Sequence, residues 1–430
     1  PILLKELEEW GGPALVKRYY EVELPFLRTV ANMERRGVYV NVAKLQELGN
    51  EYAAEQWTFE EDIKGFTHHE NFNPNSPQQV GTYLFKELGL PAIGGKTKTG
   101  YKADAKTLEA IRHLSPVVDM IMEWRAIAKL RGTYTEALPK MVSPITSRVH
   151  GLISTTGTGT GRVSMSDPNL MNIPTRTERG AKMRYVFEGQ NDNFLMDIDY
   201  SQIEPRVLAH LSEDPFLIET FCSGQDLYRA IAGHPRVFNC APADVTHTQR
   251  SAIKMGWLAA TYLVGAEKLA AQMTLQLKER WTPQQASEFL AAFFSVVSRV
   301  REYREASIDF ARKHGYVETM MGFRIPVVGI NSPIPDIKAH AHAQAVNLPI
   351  QGTASGDILK HAMNQLDSLG SGIPKMILQV HDELIFEGPR EELEDTKELI
   401  QTILENVVHL RVPLEAKPKI AKTWGGAKED

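Results

Sequence analysis

Apolar positions recur at helical spacing through LVKRYYEVELPFLRTVANMERR within residues 1–36, and the pattern stops at Gly37, a residue suited to ending a helix. From Asn41 to about Tyr134, two long helical patterns flank a polar, turn-rich stretch running from HHENFNPNSPQQ to GGKTKTGYK. Within it, Asn75 and Ser76 before Pro77 resemble a helix cap with proline in the first turn. Between 149 and 200 the chain changes to short β-like runs, RVHGLISTT and the almost continuously apolar NFLMDIDY, which predict a sheet. Helical spacing returns for the next 150 residues, after which KMILQVHDELIFEG predicts two strands about a polar tetrad, followed by a C-terminal helix. The pattern is that of an α+β protein whose sheet is split in sequence by inserted helices.

A length of 430 residues allows two to four domains. No apolar stretch approaches the roughly 20 residues needed to span a bilayer, and the acidic start PILLKELEEW lacks the basic region of a signal peptide, so an intracellular, non-membrane protein is expected. Cys222 and Cys240 alone make neither a disulfide framework nor a thiolate cluster and read as packing residues. A start at Pro1 rather than Met suggests a fragment or a processed product. The net charge of −5 excludes a protein that holds nucleic acid by bulk positive charge. Local strips remain: GGKTKTGYKADAK at 94–106, RTERGAKMR at 176–184, and the pair Arg250 and Lys254. Any one strip taken alone reads as solvated surface; acidic clusters elsewhere can make the total negative without weakening a local groove.

Asp199 ends a strand of buried character, and Asp382 sits between VH and ELIFE at the bend of a hairpin. Each alone reads as a cap or turn former. Together, on neighbouring strands, they can hold two Mg²⁺ ions about 4 Å apart, one lowering the pKa of an attacking hydroxyl and one stabilising a leaving phosphate oxygen. TQRSAIKMGWLAATYLVGAEKLA reads as one helix, with Arg250, Lys254, Leu258 and Tyr262 on one face. A basic first turn opposes the helix dipole, and a polyphosphate ligand would explain it.

DYSQIEPRVLAHLSEDP, the R-x3-K-x7-Y of that helix, and QVHDELIFE resemble motifs A, B and C of the family A DNA polymerases. FNPNSPQQVGTYLFKELGLP, TGTGRVSMSDPNLMNIPTR, GYVETMMGFRIP and NLPIQGTASGDILK match that family in order, so the resemblance spans essentially the whole chain. It implies a right-hand fold with an antiparallel palm sheet: a lead-in over 1–36, a thumb over 37–140, palm over 141–201 and 369–430, and fingers over 202–368. It implies primer-template DNA and deoxynucleoside triphosphates as partners of a monomer, and two Mg²⁺ ions, replaceable by Mn²⁺, on Asp199, Asp382 and the carbonyl of Tyr200, with Glu383 close by. Arg250 and Lys254 would grip the triphosphate, Gln202 would lie near the nucleotide, and Glu204 would close the space of a ribose 2′-hydroxyl. Tyr262 would abut the templating position, while Arg162, Asn169, Asn347, Gln351 and His381 would contact the primer-template near its growing end.

Several positions depart from the family pattern. Leu258 and Ala259 stand where an aromatic residue and glycine are usual, Leu263 replaces the glycine after Tyr262, Tyr228 replaces a histidine near the triphosphate, and Ala343 replaces an arginine. These changes suggest a divergent branch, such as that of a phage. A single-subunit RNA polymerase shares the palm but needs a small residue at Glu204; a two-metal nuclease would leave Arg250 and Lys254 without a purpose; and a silent DNA clamp would not need both aspartates. Residues 1–36 are too short for a 3′-5′ exonuclease, so proofreading is not expected from this chain.

Overall fold

Phe194–Tyr200 is an interior strand of a four-stranded antiparallel sheet, ordered Lys375–Val380, Glu383–Gly388, Phe194–Tyr200, Ala416–Ala421. In the computed structural model described here, which covers residues 2–97, 100–174 and 177–429, Leu195 to Ile198 and all of Glu383–Gly388 are buried. Burial on both faces is why these strands read as apolar runs rather than alternating ones. Helices Arg390–Asn406 and Leu24–Arg36 pack on the sheet's strands and bury Leu393, Ile400, Leu404, Phe26 and Met33. Phe386 lies at the centre with no exposed surface, where truncation to alanine would cost about 3–5 kcal/mol. Lys98 of the first basic strip, and Thr175 and Arg176 of the second strip and of TGTGRVSMSDPNLMNIPTR, lie outside the described residues.

This sheet belongs to the first of two compact units, made of Pro1–Arg36, Leu152–Ser166 and Asp192–Ala421; the second comprises Gly37–Gly151, Asp167–Asn191 and Lys422–Asp430. The segment 202–368 lies wholly in the first unit and 37–140 wholly in the second, whereas 141–201 is shared between them. In the second unit, helices Val42–Thr67 and Pro116–Leu130 pack together, and a core of Ile63, Phe72, Val80, Leu84, Leu108 and Ile121 forms under the turn-rich stretch. Ser76 caps Pro77–Thr82 by accepting from the Gln79 amide at 3.3 Å.

Four readings of the sequence change. RVHGLISTT does not join the sheet: Arg148–Val149 pairs with Val38–Tyr39, and Leu152–Ser154 pairs with Ser164–Ser166. Leu152 is 58% exposed, so this run could not serve as a strand covered on both faces. TQRSAIKMGWLAATYLVGAEKLA forms two helices, His247–Tyr262 and Ala266–Leu277, because Leu263 turns left-handed (φ 54°) and its amide closes back on the Ala259 carbonyl. The helical stretch after 200 is interrupted by a hairpin, Tyr316–Glu318 with Arg324–Pro326. Ala416–Ala421, rich in lysine and holding Pro418, is an edge strand after the final helix; proline is tolerated there because an edge amide need not bond. Among the described residues no helix is long and apolar enough to cross a membrane.

Candidate active site

The register of the sheet brings the two aspartates together. Glu383 stands opposite Asp199 in the ladder, and the Tyr200 amide donates to the Asp382 carbonyl at 3.3 Å. Asp199, one residue from the strand end, and Asp382, at the hairpin bend beside left-handed His381 (φ 59°), therefore share one end of the sheet. Burial raises the Asp382 carboxyl above its ordinary range; its own backbone opposes this, Glu204 and Glu383 add to it, and Arg162 offsets part of it. Burial and like charge both disfavour the carboxylate, and a divalent cation would reverse both effects. Among the described residues no three His, Cys, Asp or Glu side chains converge into a site made by protein alone. Mg²⁺ is commonly held by one or two carboxylates with substrate phosphates, so Asp199, Asp382 and the Tyr200 carbonyl are an all-oxygen donor set that suits it.

The His247–Tyr262 helix starts with a reciprocal cap between Thr246 and Gln249. It buries Ala252, Ile253, Met255, Trp257 and Ala260, and a Cβ added at Gly256 would lie 2.6 Å from the Phe289 ring. The opposite face carries half-buried Arg250 and exposed Lys254, Leu258 and Tyr262. Trp257 is 5% exposed and meets the rings of Tyr228 and Phe293 at 6.5 and 6.3 Å, whereas Leu258 is 47% exposed. Leu258, not Trp257, thus shares the face of Lys254. Lys254 has no ion-pair partner among the described residues. Arg250 Nη2 donates to Asp226 Oδ2 at 2.9 Å, and its guanidinium lies 5.2 Å from the Tyr228 ring centre. Asp226 also caps Leu227–Gly233 through the Arg229 amide at 2.8 Å. Burial alone would raise its carboxyl, but Arg250 and Arg229 outweigh burial and hold it below the usual range. Burial pushes the Tyr228 hydroxyl up to about 12, with Arg250 opposing and Asp226 and Glu204 adding. Glu204 thus lies within electrostatic reach of both Tyr228 and Asp382.

Gln202 stands just before Ile203–Ser212 in a left-handed conformation (φ 55°), and its buried Oε1 has no hydrogen-bond partner among the described residues. Left-handed backbone and an unsatisfied acceptor each cost about 1–2 kcal/mol, strain of the kind that collects at functional sites. Glu204, in the first turn of that helix, accepts from Arg162 Nη2 at 2.5 Å, and Arg162 Nε donates to Ser355 Oγ at 3.0 Å. Asn347 is buried on Pro335–Gln351, and Gln351 at its end donates to the Tyr262 hydroxyl at 2.6 Å. The His381 carbonyl accepts from the Gln379 amide group. Asn169 belongs to the second unit, where it caps a short turn by accepting from the Met171 amide at 3.1 Å. Asp226 and Ser355 join the site only through the fold, by their contacts with Arg250 and Arg162. Asp226 reads only as a helix cap in GQDLYRA, and Ser355 carries no local signal in GTASGD, because their partners are distant in sequence.

The family model described as DNA polymerase family A matches residues 42–426. A thermostable DNA polymerase I of Thermus thermophilus is 39% identical over 424 residues, covering 97% of this chain and 50% of that protein. The DNA polymerase I of Geobacillus stearothermophilus is 38% identical over 415 residues, covering 95% of this chain and 46% of its own length. The chain thus spans about half the length of these bacterial relatives. A solved structure, the POL domain of Pol1 from M. smegmatis in complex with DNA primer-template and dNTP, superposes with a TM-score of 0.90 at 34% identity, over 99% of this chain and 74% of that one.

Proposed function

The chain belongs to DNA polymerase family A, and from that membership we propose that it performs template-directed DNA synthesis, adding deoxynucleoside triphosphates to a primer 3′ end with release of pyrophosphate. The observation that carries this reading is the meeting of Asp199 and Asp382 at one end of the sheet, with Glu204 and Arg162 beside them. Two Mg²⁺ ions on Asp199, Asp382 and the Tyr200 carbonyl, or Mn²⁺ in their place, would supply an activated 3′-hydroxyl and neutralise phosphate charge. Arg250 grips the triphosphate through its planar fork, and Lys254 adds a point charge and a proton for the leaving pyrophosphate. Glu204 excludes the ribose 2′-hydroxyl, Gln202 and Tyr228 line the nucleotide, and Leu258 and Tyr262 face the nascent pair. Arg162, Asn169, Asn347, Gln351 and His381 hold the primer-template, reading minor-groove acceptors that vary little among correct pairs.

On this reading residues 1–36 are a lead-in to the palm, 37–140 the thumb, 202–368 the fingers, and 141–201 with 369–430 the palm of a monomer working in the cytoplasm of a bacterial or phage-infected cell, with a eukaryotic organelle as the alternative. Primer extension with deoxy- and ribonucleotides, with and without Mg²⁺, tests it. Metal-dependent extension with deoxynucleotides is expected; extension without metal, or equal use of both sugars, would refute it.

A further inference from the structure

Arg162 presents one planar edge, Nε and Nη2, to two different elements. Nε donates to Ser355 Oγ at 3.0 Å, and Nη2 donates to Glu204 Oε1 at 2.5 Å. A guanidinium is a rigid fork, so a partner on Nε fixes the direction in which Nη2 points. Both ends of this contact are anchored. Arg162 follows left-handed Gly161 (φ 76°), and its own carbonyl accepts from Thr158 Oγ1 at 2.6 Å. Ser355 lies in the π-helical turn Gly352–Ile358, and Asp357 of that turn is fully buried, accepting from Arg18 Nε at 3.0 Å and the Met321 amide at 2.9 Å. Glu204 itself is a flexible side chain in a first helical turn, with 32% of its surface exposed. Left alone it would sample several rotamers, and a carboxylate that wanders is a poor barrier to one hydroxyl.

We propose that Ser355 and Arg162 are positioning residues that hold Glu204 in place, so that rejection of ribonucleotides depends on a relay from Ser355 through Arg162 to Glu204. The proposal rests on the reading of this chain as a deoxynucleotide polymerase in which Glu204 faces the sugar. The Nη1 end of Arg162 has no partner among the described residues and stays available to the primer-template. One cation then serves the primer end and the sugar barrier at once.

The test is single-turnover incorporation of a deoxy- and a ribonucleotide of the same base on one primer-template, by the wild type, Arg162→Lys, Ser355→Ala, Glu204→Ala and the double variant Arg162→Lys/Glu204→Ala. The ratio of the two efficiencies cancels any loss of DNA affinity. Arg162→Lys keeps the charge but loses the fork, and should raise relative ribonucleotide use about tenfold, the worth of one charge-assisted hydrogen bond. Ser355→Ala should move the ratio the same way by less. In the Glu204→Ala background, Arg162→Lys should add no more than about twofold, since residues acting through one another are not additive. A ratio untouched by Arg162→Lys and Ser355→Ala in an enzyme that still rejects ribonucleotides would overturn the relay alone. An equal shift with and without Glu204 would overturn it as well. A wild type that makes no use of deoxynucleotides would overturn the polymerase reading and the relay with it.

Discussion

The Tyr200 amide donates to the Asp382 carbonyl at 3.3 Å, which fixes the hairpin bend against the end of the Phe194–Tyr200 strand. Two acidic residues 183 positions apart in the chain are thereby held side by side by main-chain bonding, without needing to attract one another. The Asp382 carboxyl is disfavoured there by burial and by Glu204 and Glu383, which a cation or a proton would relieve.

On the proposed reading, Asp199→Asn and Asp382→Asn should each reduce primer extension about a thousandfold or more, since each would remove a metal-ligand oxygen. Asp382→Asn should leave the melting temperature in chelator unchanged or higher, because its carboxyl is disfavoured by burial and by Glu204 and Glu383. Near-normal extension by either purified variant would refute the assignment.

Lys254 is exposed on the face of Arg250 and has no carboxylate partner among the described residues, so its charge is available to a ligand. Lys254→Ala should slow the chemical step at saturating nucleotide about a hundredfold while changing primer-template affinity by no more than about threefold. Rapid-quench kinetics and a DNA-binding titration separate the two; a loss confined to DNA affinity would place Lys254 on the duplex instead.

Leu258 projects between Lys254 and Tyr262, while Trp257 is packed in the core. A leucine offers no hydroxyl to stand in for a missing sugar 3′-hydroxyl, so strong discrimination against dideoxynucleotides is expected. Leu258→Tyr should relax that discrimination about tenfold in single-turnover incorporation. No change in the ratio would remove Leu258 from the sugar's surroundings.

Leu263 holds φ 54° at the end of the His247–Tyr262 helix, a conformation that costs a branched L-residue about 1–2 kcal/mol. Leu263→Gly should therefore raise the melting temperature by about 1–3 °C. A lower melting temperature would show that the side chain's packing outweighs the backbone strain.

The lowered histidines should make acid destabilising below neutrality, against an opposite contribution from the raised carboxyls of Asp214, Asp357 and Asp382. His210, whose Nδ1 accepts from the Arg411 amide at 3.2 Å, is lowered first by burial and then by Arg411, with Glu213 opposing. His234, His342 and His361 are lowered too, each chiefly by burial. A histidine kept neutral in the fold binds fewer protons than in the unfolded chain, so its contribution is complete above 6.5 and is lost as the pH falls through the lowered folded values. Thermal melts from pH 7.5 to 5 should fall, and His210→Gln, which keeps an acceptor but cannot titrate, should fall less. A His210→Gln melting temperature that falls as steeply with pH as the wild type's would contradict the assignment.

The strands Phe194–Tyr200 and Glu383–Gly388 were legible because burial on both faces writes an apolar run into the chain, and the Lys254 face because four-residue spacing survives any packing. Ala416–Ala421 was not legible: an edge strand needs few apolar residues, so AKPKIA carries little signal. The break at Leu263 was equally silent, since a leucine gives no warning of left-handed backbone where a glycine would.

By itself the sequence determined which residue types and spacings were present: two acidic ends of strands, a basic helix face, and motifs in the order of one polymerase family. Only the tertiary structure decided that Arg250 rests on Asp226 and Tyr228, and that Arg162 joins Ser355 to Glu204. The physical reason is range. Periodicity and capping are set by neighbours within a turn or a strand, whereas a hydrogen bond between residues 162 and 355 depends on where two separately folded elements come to rest.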